Sequence, residues 1–162
     1  MVRGGVLIGD LRSYPDDFPQ VAIWVWQQWR VLEPGRRLTE AEQAVAEEFI
    51  NHDAPFPACF VAFHGGTLVG MANLSGPDSD IAAPYDAASP WISSVFVPET
   101  HRGRGIALSI LTHIVEAARA AGIEDLHVHT TDGHELYRKA GFHEIGKADY
   151  LGRETTVMRM TL

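Results

Sequence analysis

Hydrophobic residues recur at steps of three and four along the first third of the chain, which is the spacing of an amphipathic helix. One such segment covers residues 15–32 and is closed by a Pro-Gly pair, and a second covers residues 39–52. Thr39 is placed to cap the second helix, and the apolar run over residues 5–11 has the character of a strand. The pattern therefore predicts a strand followed by a pair of helices.

The middle of the chain has the shorter apolar runs of strands. Residues 58–64 and 68–74 are two such runs, and the Gly-Gly-Thr sequence between them predicts a tight hairpin. The segment 76–90 is interrupted by Gly and Pro and carries three aspartates, so we expect it to be an exposed connection. A further strand is predicted over residues 91–97, where Pro98 ends it.

The last third alternates helices with strands. A long helix begins at Ile106 with its apolar residues on one face and ends at Gly122, and a short helix capped by Asp132 ends at Ala140, where Gly141 would be the C-cap. The remaining strands are predicted over residues 126–130, 142–145 and 154–160, the last two joined by a turn at Gly152. This order predicts a mixed α/β fold.

Composition places the chain among ordinary globular proteins. It has 162 residues, of which 46% are hydrophobic and 21% charged, so we expect one domain over residues 1–162. The apolar run 21–26 is far shorter than the roughly 20 residues of a membrane span, and the lone Cys59 cannot form an internal disulfide. The eight histidines show no metal-ligand spacing. We therefore expect a cytoplasmic protein without a membrane segment or a metal.

Charge narrows the range of partners. The chain has 13 Lys and Arg residues against 21 Asp and Glu residues, a net charge of −8. Such a balance argues against binding to a nucleic-acid backbone and favours small cationic partners. Solubility alone is the alternative explanation of the same charge.

One loop carries the strongest chemical signal. A strand stops at Pro98, two glycines follow, and an amphipathic helix begins, so unpaired amides lie at the positive end of a helix. Such a place binds phosphate, and two arginines within it can add charge-assisted hydrogen bonds. The candidate phosphate-binding residues are Arg102, Gly103, Arg104, Gly105, Ile106 and Ala107.

Two familiar nucleotide motifs fit this loop poorly. A Walker loop requires Lys followed by Ser or Thr after its last glycine, where Ile106 and Ala107 stand instead. A dinucleotide fingerprint requires Gly or Ala three residues after its second glycine, and that position is Leu108.

The loop closely resembles the acetyl-CoA motif of the GNAT superfamily of N-acetyltransferases, which is written Gln/Arg-x-x-Gly-x-Gly/Ala and follows a strand ending Val-x-Pro. Arg102, Gly105 and Ala107 match its fixed positions. Residues 136–142, Leu-Tyr-Arg-Lys-Ala-Gly-Phe, resemble a second segment of that family, Leu-Tyr-x-Lys-x-Gly-Phe. The resemblance covers residues 57–162 well, whereas residues 1–56 fit by element order alone.

The resemblance implies a GNAT-like, mixed and largely antiparallel twisted sheet of about six or seven strands with a central splay, flanked by about four helices. It implies that acetyl-CoA enters the splay, that main-chain groups of Val95, Phe96 and Val97 pair with its pantetheine arm, and that loop amides hold its diphosphate. Reaction would be direct attack of an amine on the thioester through a tetrahedral intermediate. Tyr137 would be the acid that protonates the thiolate, and the Val97 amide would stabilise the oxyanion.

The general base stays open at this point. Some members carry Glu or His on the central strand, but this chain has Ser93 and Ser94 there. We expect these two serines to hold a water that passes the proton to a carboxylate of the loop 78–86 or to a histidine, with His64 and His129 as the histidines in nearby strands. Relatives also carry an Asn before the tyrosine, and Thr130 or Asp132 would have to replace it.

The acceptor is the least determined feature. Trp24 and Trp26 lie about 200° apart on a helix, so Trp24, Trp26 and Trp29 cannot all face the core. One of them would line the acceptor site or form a surface or homodimer contact. We expect a primary amine of a small cationic molecule; a protein N-terminus or lysine, an acyl-CoA sensor without turnover, and an interaction domain without a cofactor are the alternatives.

Overall fold

The computed structural model describes residues 2–3 and 5–162, with side chains from residue 5 onward. The strands are β1 (Val2–Arg3), β2 (Val6–Asp10), β3 (Ala58–His64), β4 (Thr67–Ser75), β5 (Trp91–Phe96), β6 (Asp125–Thr130), β7 (His143–Tyr150) and β8 (Arg153–Thr161). The helices are α1 (Phe18–Leu32), α2 (Leu38–Val45), α3 (Ile106–Ala120) and α4 (His134–Ala140), and α2 continues into a wider π turn over Ala46–Ile50.

The strands form one sheet in the order β1-β2-β3-β4-β5-β6-β8-β7. Within the described sheet, β5 and β6 are the parallel neighbours, and they share a single registered pair, Trp91 with His127. Beyond that pair the two strands diverge, which is the central splay. The predicted mixed, largely antiparallel sheet with four helices is confirmed, and the two-residue β1 extends it beyond the predicted number of strands.

Helices cover both faces of the sheet. The apolar face of α3, which includes Ile110, Leu111 and Ile114, packs on one face together with α4. Helices α1 and α2 bury Val21, Val25 and neighbouring residues on the other face, over the first half of the sheet. Helices α1 and α2 therefore do not cover the part of their face that lies next to the splay, and another element covers it.

That cover comes from the segment 76–90, which we predicted to be an exposed connection. Ile81 is only 2% exposed, packs with Trp91 and Val157, and forms an isolated bridge with Tyr150 of β7. Trp91 Nε1 donates to the Ala88 carbonyl at 2.7 Å. The segment is exposed over most of its length, as predicted, but the prediction is wrong at Ile81, whose buried side chain anchors the segment to the sheet.

Two predicted helix caps were also wrong. Thr39 lies inside α2, whose start is instead held by the Glu40 carboxylate accepting from the Arg37 amide at 3.3 Å. Asp132 makes no cap bond, and the Thr130 hydroxyl accepts from the Gly133 amide at 2.7 Å in its place. Gly141 is confirmed as the C-cap of α4, with φ of 108°.

Candidate active site

A bulge in β5 shapes the splay. Asn73 of β4 pairs with Ser93 and Met71 pairs with Phe96, so β5 has one residue more than its partner between these pairs. Ser94 lies in the bulge with φ of 52°, a left-handed conformation that is uncommon outside glycine. The bulge bends β5 next to the point where β6 turns away, and Ser93 and Ser94 both face a cleft there.

The first cleft, about 320 Å³ in volume, lies at the start of α3, and we call it the glycine-loop cleft. Gly103 and Gly105 both have φ of 76°, and a Cβ at either position would meet nothing within 4 Å. No described side chain caps the start of α3. Its first amides therefore face open space at the positive end of a helix, which is the arrangement expected for a bound anion. Its lining consists of Val97, His101, Arg102, Gly103, residues 105–108, Glu135, Leu136 and Lys139.

The two arginines of the loop differ. Arg102 Nε donates to the Val97 carbonyl at 2.8 Å, so part of this guanidinium holds the loop against the end of β5. Arg104 is exposed and lies outside the cleft lining. Lys139 of α4 lines the cleft, within 3.3 Å of Glu135. We missed this lysine as a candidate, although its spacing of three from Leu136 places both on one side of α4.

The second cleft, about 370 Å³ in volume, opens on the α1 face of the sheet beside the splay. Four carboxylates line it: Glu33, Glu48, Asp78 and Asp80. We call it the acidic cleft. Trp29, Ser75, Ser93, Ser94, His129, Tyr137 and Tyr150 also contribute to its lining. The sequence predicts a role in proton transfer for the aspartates of the loop. It gives no reason to select the two glutamates, which lie in helical segments without a motif.

Electrostatics in the acidic cleft are dominated by negative charge. Desolvation, followed by the charges of Asp78 and Glu33, raises the pKa of Asp80, and Arg36 opposes this shift. Desolvation also raises the pKa of Glu48, which stays solvent-accessible at the mouth of the cleft; a hydrogen bond from Ser75 opposes this shift and the charge of Asp78 adds to it. Arg36 is itself paired with Glu33 at 3.0 Å. The cleft therefore carries more negative than positive charge.

Tyr137 lies between the two clefts. It is 8% exposed and lines the acidic cleft, while its neighbour Leu136 lines the glycine-loop cleft. Burial, followed by the charge of Asp132, raises the pKa of the phenol to about 12, so the hydroxyl keeps its proton at neutral pH. No hydrogen bond ties this hydroxyl to another described residue, and it is available to a ligand.

The candidate bases differ in whether they line the acidic cleft. His129 lines the acidic cleft, where its Nε2 is 3.4 Å from Asp78 Oδ2 and its Nδ1 is 3.1 Å from Thr155 Oγ1. His64 is exposed at the end of β3, outside the lining of both clefts. Asp86 lies outside them too, at an exposed position of the loop.

The remaining predicted residues have these positions. Thr130 uses its hydroxyl within its own turn, and neither it nor Asp132 lines either cleft. Trp24 is buried, whereas Trp26 and Trp29 are half-buried with Arg30 and Arg36 over their rings. Of the three, Trp29 lines the acidic cleft.

Comparison with known proteins agrees with this geometry. The sequence matches the acetyltransferase (GNAT) family over residues 13–142. The chain belongs to this family. The predicted family and acyltransferase class are thereby confirmed, together with acetyl-CoA as the cosubstrate of the family.

One curated relative matches part of this chain. GCN5-related N-acetyltransferase 6, chloroplastic, of Arabidopsis thaliana is 35% identical over 77 residues, 44% of this chain and 27% of that protein. The match therefore spans about a quarter of the length of this curated relative.

Two solved structures share the fold over nearly their whole length. Ribosomal-protein-alanine N-acetyltransferase from Brucella melitensis is similar with a TM-score of 0.72 at 23% identity, covering 96% of this chain and 99% of that one. Spermidine N-acetyltransferase from Vibrio cholerae, in complex with CoA and spermine, is similar with a TM-score of 0.73 at 16% identity, covering 98% and 96%.

Two general properties bear on the site. Within the described part of the chain, no helix has the length and apolar character needed to cross a membrane. The described residues also contain no group of three or more His, Cys, Asp and Glu side chains arranged to hold a metal ion. The compartment and the single-domain organisation stay predictions.

Proposed function

We propose that this GNAT protein transfers an acetyl group from acetyl-CoA to a primary amine of a small cationic molecule. The observation that supports this most directly is the acidic cleft, which lies beside the same splay as the glycine-loop cleft. A donor bound at one and a cation bound at the other would meet at β5. Four carboxylates in one cleft attract a charged amine and raise its local concentration.

On the donor side, the amides of residues 102–107 hold the diphosphate. The open space at Gly103 and Gly105 supports this role, because a phosphate can approach the backbone there without meeting a side chain. Lys139 of α4 can turn from its partner Glu135 to the diphosphate, since both side chains are exposed and line this cleft. Main-chain groups of Val95, Phe96 and Val97 pair with the pantetheine arm as an added strand would, since β6 leaves that edge of β5 beyond Trp91.

In the chemical step the amine nitrogen attacks the thioester carbonyl. A C–N bond forms, the C–S bond breaks, and the amine loses one proton. The Val97 amide stabilises the oxyanion, and Tyr137 gives its proton to the departing thiolate. Ser93 and Ser94 hold the water that receives the amine proton; the Ser93 hydroxyl is already oriented by Ser75, whose oxygen is 3.1 Å away.

A panel of acceptors tests this function. Purified protein is incubated with acetyl-CoA and mono-, di- and polyamines, aminoglycosides, neutral amine analogues of matched size, and peptides with free N-termini or lysines, and free thiol is measured. We expect turnover with cationic small amines, together with a rise in melting temperature on adding acetyl-CoA alone.

Each other outcome contradicts a specific part of the proposal. Turnover with peptides alone would make a protein the acceptor. Thermal stabilisation by acetyl-CoA without thiol release from any amine would indicate a sensor. No stabilisation and no thiol release would indicate an interaction domain.

A further inference from the structure

His129 and Asp78 form a side-chain pair that comes from two distant parts of the chain. Asp78 lies in the segment 76–90, and that segment is fixed by the Ile81 bridge to Tyr150 and by the Ala82 amide donating to the Asp149 carbonyl at 2.9 Å. His129 lies in β6, with its ring centroid 4.4 Å from that of Tyr150 and 5.5 Å from that of Trp91. Both partners are therefore held by packing.

The register places His129 across the splay from Ser93. Trp91 and His127 are the last aligned residues of two parallel strands, and Ser93 and His129 each lie two residues further on. Residues two apart on a strand point to the same face. Both side chains line the acidic cleft, at the position where the strands begin to separate.

Each ring nitrogen of His129 faces a group that can accept a hydrogen bond. A carboxylate accepts hydrogen bonds but cannot donate one, and a threonine hydroxyl can accept one. Asp78 Oδ2 faces Nε2 at 3.4 Å and Thr155 Oγ1 faces Nδ1 at 3.1 Å, so an imidazolium at this position has an acceptor for each of its two N–H groups. Each side chain of the pair is about one-fifth exposed, so solvent in the cleft can reach it.

We propose that the Asp78–His129 pair takes up the proton that leaves the acceptor amine, an inference that rests on the acetyl transfer proposed above. The amine proton passes to a water at Ser93 and from there to His129, which becomes an imidazolium between Asp78 and Thr155. Tyr137 protonates the thiolate, and the proton held by the pair then returns through the cleft to the tyrosinate. Over one cycle a neutral amine and a thioester give an amide and a thiol, and no proton is gained or lost; an acceptor that arrives as an ammonium ion gives one further proton to solvent before it attacks.

Other titratable and charged groups lie around the pair. The ring of Tyr150 contacts that of His129 at a tilt of 46°, and burial, followed by the charges of Asp78, Asp80 and Glu33, raises the pKa of its hydroxyl. The remaining carboxylate of the cleft is Glu48, and Arg36 pairs with Glu33 at the rim.

The test compares two histidines of one strand. His129→Gln keeps a polar side chain of similar length but removes the proton-accepting ring, whereas His127→Gln changes the neighbouring histidine, which is buried, bonds to the Pro90 carbonyl at 3.1 Å and lies outside the cleft. We expect His129→Gln to lower kcat about 100-fold with KM for acetyl-CoA unchanged, the usual size of a lost acid or base. The fall in kcat towards acid pH should disappear in this variant, and its rate should recover with rising pH. His127→Gln should stay within about threefold of the parent rate.

A second variant covers the case in which His129→Gln does not fold, which its melting curve would reveal. Asp78→Asn leaves β6 intact, and we expect it to lower kcat about tenfold. A folded His129→Gln with the parent kcat and pH profile would overturn the proposal, as would equal losses in the two histidine variants or an unchanged rate in Asp78→Asn. If the parent protein releases no thiol with any amine, it is the acetyl transfer itself that fails.

Discussion

The two clefts beside the splay are built in opposite ways. The glycine-loop cleft takes most of its lining from one contiguous stretch, residues 97–108, and the donor binding proposed above uses the main-chain amides of that stretch. The acidic cleft takes its lining from α1, the π turn after α2, β4, the segment 76–80, β5, β6, α4 and the β7–β8 hairpin, and the acceptor binding proposed above uses its carboxylate side chains. A main-chain site needs glycines at set positions and leaves a sequence motif, whereas a side-chain site assembled from eight elements leaves none. The donor is therefore recognisable in the sequence and the acceptor is not.

Tyr137 joins the two clefts, so its loss should have the largest effect. We expect Tyr137→Phe to lower kcat about 100-fold with little change in either KM, because the phenol supplies a proton rather than binding energy. Steady-state kinetics measure this, with Tyr85→Phe as the control, since the Tyr85 hydroxyl bonds the Ile145 carbonyl at 3.4 Å away from both clefts. An unchanged kcat in Tyr137→Phe would remove the acid role.

The main-chain character of the glycine-loop cleft can be tested at the two ends of α3. Gly105 and Gly122 have φ of 76° and 75°, and a Cβ at either would meet no atom within 4 Å. Alanine at either position should cost about 1 kcal/mol of folding free energy, because a left-handed residue with a Cβ is strained. Only Gly105→Ala should weaken CoA binding, by about tenfold, as measured by calorimetry. Equal affinities in the two variants would show that the diphosphate lies elsewhere.

The side-chain character of the acidic cleft predicts a smaller effect that depends on the charge of the acceptor. Asp80→Asn should raise KM about fivefold for a dicationic amine, the range of one partly exposed charge pair, and leave KM for acetyl-CoA unchanged. Asp86→Asn, an exposed position on the same segment outside the cleft, is the matched control. If both variants have equal KM values for the amine at low salt, the carboxylates of the cleft do not select the acceptor.

The smallest effect should be on stability. Desolvation raises the pKa of Glu48, so the folded state binds this proton more tightly than the unfolded state does, and ionised Glu48 destabilises the fold at pH 7. Glu48→Gln should therefore raise the melting temperature by about 1 °C at pH 7. The gain should vanish as the pH falls below the ordinary range of a glutamate, near ~4.3. Glu47→Gln, at an exposed neighbouring position, should change nothing at either pH.

The predictions from sequence succeeded where local patterning decides structure. The helix spacing of α1 and α3, the glycine hairpin between β3 and β4, and the C-cap at Gly141 each depend on a few adjacent residues. The predictions failed for Thr39 and Asp132, since several polar residues near each helix start can serve as a cap and tertiary packing selects one.

The same difference holds for the candidate site: residues that belong to a motif could be predicted from the sequence, and residues that only the fold brings together could not. The candidates at residues 102–107 and Tyr137 came from motifs, and both lie beside the splay, except that Arg104 is exposed and lies outside the cleft lining. Glu33 and Glu48 could not be found, because each is an ordinary polar residue of a helical segment until the fold brings it next to Asp78 and Asp80. The burial of Ile81, which fixes the aspartates in place, is likewise a tertiary contact with Trp91 and Val157.

The single registered pair between β5 and β6 also bears on how the two parts of the sheet unfold. The strands β1 to β5 and β6 to β8 are each continuous ladders, and the strands of these two half-sheets pair with each other at one registered pair, to which segment 76–90 adds the bridge from Ile81 to Tyr150. In the binding proposed above, the pantetheine arm would act as a removable strand between them, and their cooperativity would depend on its concentration. The half-sheets should exchange amide hydrogen at separate rates in the free protein and at a common, slower rate once the gap is filled.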